Sequence, residues 1–183
     1  MKKLAMLSML AGAAALAAAP AARRWPVPKT PVVAGADGYA AIPNAAVPPT
    51  KTRTYKAIFD ATRAADKPGE LAPAINNAAS ELNAFGVAGV PSGKVKLAVV
   101  FHGPAMAAIL DDAHYRAKFG VANPNLPVLR QMKKAGTELF VCGQNLVADD
   151  VDPATLTPDV RIASDALIVL MTYQNDGYAL ISF

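Results

Sequence analysis

The sequence predicts an α/β fold, a three-layer α/β/α sandwich around a mainly parallel five-stranded sheet. Strand-like and helix-like segments alternate over residues 51–183, the pattern that stacks parallel strands between helical layers. One strand ends in the unbroken apolar run "LAVVF", as expected where both faces of a sheet are covered. With 183 residues, 53% hydrophobic and 17% charged, the chain suits one globular domain with a sizeable core, and disorder throughout is excluded.

In chain order, residues 1–22 read as a signal peptide. Lys2 and Lys3 precede the small and apolar run "LAMLSMLAGAAALAAA", and Ala19-Pro20-Ala21 fits a small-x-small cleavage pattern, with the cut after Ala21 or Ala22. A transmembrane anchor is the competing reading, but the run is dominated by alanine, barely long enough to span, and followed at once by Arg23 and Arg24. The expectation is export, a periplasmic location, and no stable membrane insertion after cleavage. Residues 23–50 carry six prolines and form an extended leader. Trp25, Val32, Val33, Tyr39 and Ile42 give it apolar material to lie against a domain or a neighbouring subunit.

The domain begins with a strand, "TYKAIF" (54–59), followed by a helix over 71–85 whose Leu71, Ile75, Ala78, Leu82 and Phe85 keep helical spacing. A second strand, "KVKLAVVF" (94–101), leads through Gly103-Pro104 into a helix expected to run to Lys118. Asn125 is the expected cap of a helix that Gly136 ends, and "TELFVC" (137–142) is the third strand. The short "VRI" (160–162) is the fourth. "ALIVLMTY" has strand-like composition, but Ser164 or Asp165 at its start and Gly177 beyond its end favour a helix, leaving "YALISF" (178–183) as a buried terminal strand.

Charge offers no nucleic-acid partner: cleavage would remove two lysines, leaving 16 basic against 14 acidic residues, scattered and without interleaved aromatics. A single cysteine excludes internal disulfides. "GVAGVPSGK" lacks phosphate-loop spacing and precedes a strand, no serine sits in a nucleophile elbow, and Cys142 with His102 forms no metal spacing set, so no cofactor or metal is assigned.

Two side chains fall at strand ends, where ligands and reactive groups gather in such sheets: His102 after the second strand and Cys142 at the end of the third. On neighbouring strands they would share a rim, where helix amides and an imidazolium both favour a thiolate. Gly143 would allow close approach of another backbone or a small sulfur species, and Gln144 and Asn145 would supply amide donors. The plain structural alternative remains open: free cysteine is among the most buried residue types, and His102 would then only cap a turn.

The runs "KLAVVFHGPAMAAIL", "NPNLPVLRQMKKAGTELFVCGQNL" and "DALIVLMTYQNDGYALISF" resemble the DsrE/DsrF-like family of sulfur-relay proteins, and more closely its exported members. The resemblance spans residues 54–183. It implies the sandwich described above, assembly into homo-oligomers (trimers or hexamers), and sulfur carried as a persulfide on Cys142 between donor and acceptor proteins. His102 matches the histidine of the "HGPA" pattern. The alternatives from other classes are a small-ligand-binding or assembly module of the same fold, and a thiol redox sensor.

Overall fold

The computed structural model describes residues 25–182; residues 1–22, where a signal peptide is expected, and Arg23, Arg24 and Phe183 lie outside the described residues. Five strands, β1 (Tyr55–Ala61), β2 (Val95–Phe101), β3 (Glu138–Cys142), β4 (Arg161–Ala163) and β5 (Ala179–Ser182), form one sheet in the order β4-β3-β2-β1-β5, with every neighbouring pair parallel. The helices are α1 (Pro73–Ala88), α2 (Asp112–Phe119), α3 (Asn125–Lys134), α4 (Gly143–Ala148) and α5 (Ala166–Asn175).

The chain steps from β1 to β4 in one direction, then reverses to reach β5. With crossovers of constant hand, that reversal carries the last helix to the opposite face. Accordingly α1 packs on β1 and β2 and contacts α3, whereas α5 packs against β1, β2, β3 and β5. Two cores result. The larger contains Phe59, Val99, Phe101 and Val141 with Ile75, Ala78, Leu82 and Leu129. The smaller contains Ile58, Ala98, Val100 and Cys142 with Ala166, Val169 and Leu170.

Helix α1 buries Ala74, Ile75, Ala78, Ala79 and Leu82, one stripe at helical spacing, and starts on Pro73, later than the sequence predicts. The helix expected over 104–118 is instead two pieces, a 3-10 turn (Gly103–Ile109) and α2. Leu110 between them is extended and bridges to Leu156, and Asp111 restarts the chain as an N-cap, its carboxylate accepting the His114 N–H at 2.8 Å. Asn125 does not cap α3. It lies within the first turn, and its side-chain oxygen accepts the Ala72 N–H at 2.9 Å, tying the start of α1 to α3.

The segment 166–175 is helical, with Asp165 as the cap and Gly177 beyond it at φ 82°. β5 follows, but it is an edge strand with Ala179, Leu180 and Ser182 exposed, not the buried strand expected. The chain ends its reversal beyond β1, and a groove of about 450 Å³ between α1 and β5 leaves Ala179 and Ile181 partly uncovered.

The described part of the leader lies on the domain. Val33 is fully buried in the larger core. The buried Asn83 of α1 accepts the Val32 and Val33 N–H groups and donates to the Val33 and Asp37 carbonyls. Gly86 makes room for this path: a Cβ there would stand 2.6 Å from Val32 Cγ2 and 2.9 Å from Pro31 Cγ. Among the described residues, no helix is long and apolar enough to cross a membrane.

Candidate functional site

β2 and β3 are adjacent, and their register pairs Phe101 with Val141. Continued by one residue, it sets His102 beside Cys142, at one rim. His102 keeps an extended backbone (φ −152°, ψ 167°), and its N–H bonds the Ala61 carbonyl, prolonging the ladder. Strand alternation then places both side chains on the face that α5 covers, the face of Val100 and Ala98.

Sharing a rim does not make them partners. His102 Nε2 lies 2.6 Å from Asp60 Oδ1, and both side chains are about one-fifth exposed, at 23% and 20%. Cys142 is 4% exposed, and its Sγ accepts the N–H of Ala166 at 3.3 Å. That amide belongs to the first residue of α5, which is 24 positions further along the chain. The helix amide expected near the thiol is therefore present, supplied by α5. The turn expected after Cys142 is itself a short helix, α4, with Cys142 in the capping position.

The three supporting residues each have a structural task. Gly143 permits a backbone crossing: a Cβ there would be 2.6 Å from the Ala163 carbonyl oxygen and 3.3 Å from that of Ser164. Gln144 donates to the Ser164 carbonyl at 3.2 Å. Asn145 accepts the Gly103 N–H at 3.3 Å, so it links the residue after His102 to α4. Beside Asn145, a cavity of about 560 Å³ opens between Pro104, Lys118 and Asp149. A shallower groove of about 480 Å³ runs between Gln144, Val147, Pro153 and Ile162.

Asp60 is the residue that sequence reasoning missed. Its signal was a carboxylate within an otherwise apolar strand end, "AIFDA", where the first strand was expected to stop at Phe59. Among the described residues, no group of three or more His, Cys, Asp or Glu side chains is placed to hold a metal ion.

The model of the DsrE/DsrF-like family matches residues 56–183, well over half of the chain. The chain belongs to the DsrE/DsrF-like family. Membership points to a sulfur-relay type of role. Among solved structures, the chain is similar to a protein of unknown function from Methanobacterium thermoautotrophicum, at 16% identity and a TM-score of 0.52, covering 70% of this chain and 99% of that one. At that identity the likeness supports the fold alone. No curated protein matches.

Proposed function

We propose that this family member is an exported, periplasmic sulfur carrier that holds sulfur as a persulfide on Cys142. The observation that carries the reading is the placement of its one cysteine, at the carboxyl end of a central strand, with a helix-start N–H on its sulfur. The Cys142 thiolate attacks the outer sulfur of a persulfide or thiosulfate donor. A new S–S bond forms at Cys142, the donor's own S–S bond breaks, and the donor leaves as thiolate or sulfite with the bonding electron pair. An acceptor thiolate then takes the outer sulfur and returns Cys142 to its starting state. This is transferase-like carriage and needs no bound cofactor.

The signal-like segment 1–22 supports export. Assembly into a homo-oligomer, trimer or hexamer, is supported by the apolar outer side of α5, where Leu167, Ile168 and Met171 are exposed, and by the exposed Trp25 of the leader. Light scattering tests it, and a monomer at every accessible concentration would count against it.

The burial of Cys142 favours a second reading, a ligand-binding or assembly module in which the thiol only packs. Mass spectrometry after incubation with thiosulfate separates the two. The carrier gains one sulfur atom on Cys142, lost again on reduction, and Cys142→Ser gains none. Native protein that never gains sulfur, although its thiol alkylates, would leave the module.

A further inference from the structure

The backbone that covers Cys142 is held in a particular way. Residues 163–165, the junction of β4 and α5, cross directly over Gly143, close enough that a Cβ at that position would meet the Ala163 and Ser164 carbonyl oxygens. Beyond the strand ladder, Gln144 Nε2 ties them to α4 through the Ser164 carbonyl at 3.2 Å and the Ala163 side chain packs against the smaller core, while the Ala166 N–H, 3.3 Å from Sγ, fixes the start of α5 behind them. β4 itself is three residues long, lies at the sheet edge and is largely exposed; its first residue, Arg161, pairs with Glu138 and stacks 4.6 Å from the Phe140 ring centroid. Short, exposed edge elements are the segments that open at the lowest free energy. Immediately outside the junction lies the 480 Å³ groove between Gln144, Val147 and Ile162, large enough to admit a sulfur donor once the junction lifts.

We propose that the 163–165 junction is a gate over Cys142, with Gln144 as its latch, and that the sulfur reacts only while the junction is lifted from Gly143, the Ala166 N–H staying on the sulfur. The closed gate excludes solvent and adventitious oxidants from the thiol, and reaction with a donor waits on local opening. The inference rests on Cys142 being the sulfur-carrying group, but opening is measured by a reagent that needs no sulfur chemistry.

The test is iodoacetamide labelling of the mature chain, native and in low urea, with the urea-unfolded chain at the same pH as reference. Wild-type Cys142 should label about a hundredfold more slowly than the unfolded chain, at a rate nearly flat in low urea, because local opening exposes little surface. Gln144→Ala should raise that rate about threefold to fivefold by removing one hydrogen bond. Gly143→Ala should raise it about tenfold or more, since its new methyl pushes directly against the gate's backbone, although nothing is removed.

A native rate equal to that of the unfolded chain would overturn the gate. So would a slow rate that climbs steeply with urea and ignores Gln144→Ala, because release would then require global unfolding. If Gly143→Ala does not fold, the Gln144 variant and the urea dependence decide. Gated labelling without any sulfur gain from thiosulfate, even in Gln144→Ala, would retain the gate and discard the persulfide.

Discussion

On one face of the sheet, α1, α3, the 103–109 turn and the leader close over Phe59, Val99, Phe101 and Val141; on the other, one ten-residue helix covers Ile58, Ala98, Val100 and Cys142. The thick face is apolar and its buried side-chain amides are satisfied: Asn83, Asn123 and Asn125 bind backbone groups of the leader, the 103–110 segment and the start of α1. The thin face holds the thiol and the His102–Asp60 pair, and its helix turns apolar residues outward as well as inward. The larger core lies on the first face and the candidate site on the second. A site that must open is compatible with the thin one, because lifting its cover leaves the larger core intact.

The largest effect should come from the thick core. Ile75→Ala, at a fully buried position, should cost about 4 kcal/mol by loss of burial and the cavity left behind. Val169→Ala beneath α5 should cost about 1–2 kcal/mol, since the helix has few neighbours to hold a cavity open. Urea unfolding measures both. Equal losses would break the comparison between the faces.

Next is the leader. Asn83→Ala would strand the Val32 and Val33 N–H groups and two carbonyls, and should cost about 3 kcal/mol. Limited proteolysis should then cut residues 25–40 before the domain unfolds. This attachment also bears on assembly: deleting the leader would remove Val33 from the core, so Trp25→Ala is the cleaner test of a subunit contact.

Extremes of pH should separate the faces by direction. On the thick side, the Asp111 carboxyl is held below the ordinary carboxylate range, first by the His114 backbone N–H and then by the His114 side chain; for Asp112 the Arg116 side chain leads. Their folded values lie below the unfolded one, so the contribution is present above about pH 4 and lost as pH falls through the folded values. On the thin side, Tyr173 and Tyr178 are pushed up, chiefly by burial, with Glu138 adding to both. Their contribution is present below about pH 10 and lost as pH rises toward the folded values. Circular dichroism should show α2 loosening in acid, and tyrosinate absorbance should lag in alkali. Tyr173→Phe should remove much of that alkaline loss, and an unchanged alkaline profile would contradict the assignment.

Much of the fold was legible because continuous apolar strands and capped helices carry local signals, as in "KLAVVF" and the Asp165–Gly177 frame of α5. What was not legible depends on contacts between distant segments. Asn83 meets Val33 across 50 positions, and the Ala166 N–H meets Cys142 across 24. Asp111 was hidden because two adjacent aspartates sat inside an otherwise acceptable helix, and α4 is too short to show periodicity. Edge position, which exposes β5, follows from strand order, and no local pattern encodes that.

The smallest effects should come from the side chains around the thiol. From the sequence alone, helix amides and an imidazolium both favour a thiolate, and His102→Gln would slow alkylation if the imidazolium were the main local charge. In the structure His102 bonds Asp60, and the donor on sulfur is a backbone N–H that no substitution of His102 removes. His102→Gln should therefore change the native labelling rate by less than about twofold, leaving the Ala166 donor in place. Asp165 is different, although it does not touch the sulfur. Its carboxylate accepts the Leu167 N–H at 2.6 Å and caps the turn of α5 that lies over Cys142. Loss of such a cap costs about 1 kcal/mol, so Asp165→Ala should fray that turn and raise labelling about fivefold. Labelling at one pH, with urea unfolding as the control for global stability, compares the two variants. A tenfold change in His102→Gln with none in Asp165→Ala would return control of the thiol to the imidazole and remove α5 from that role.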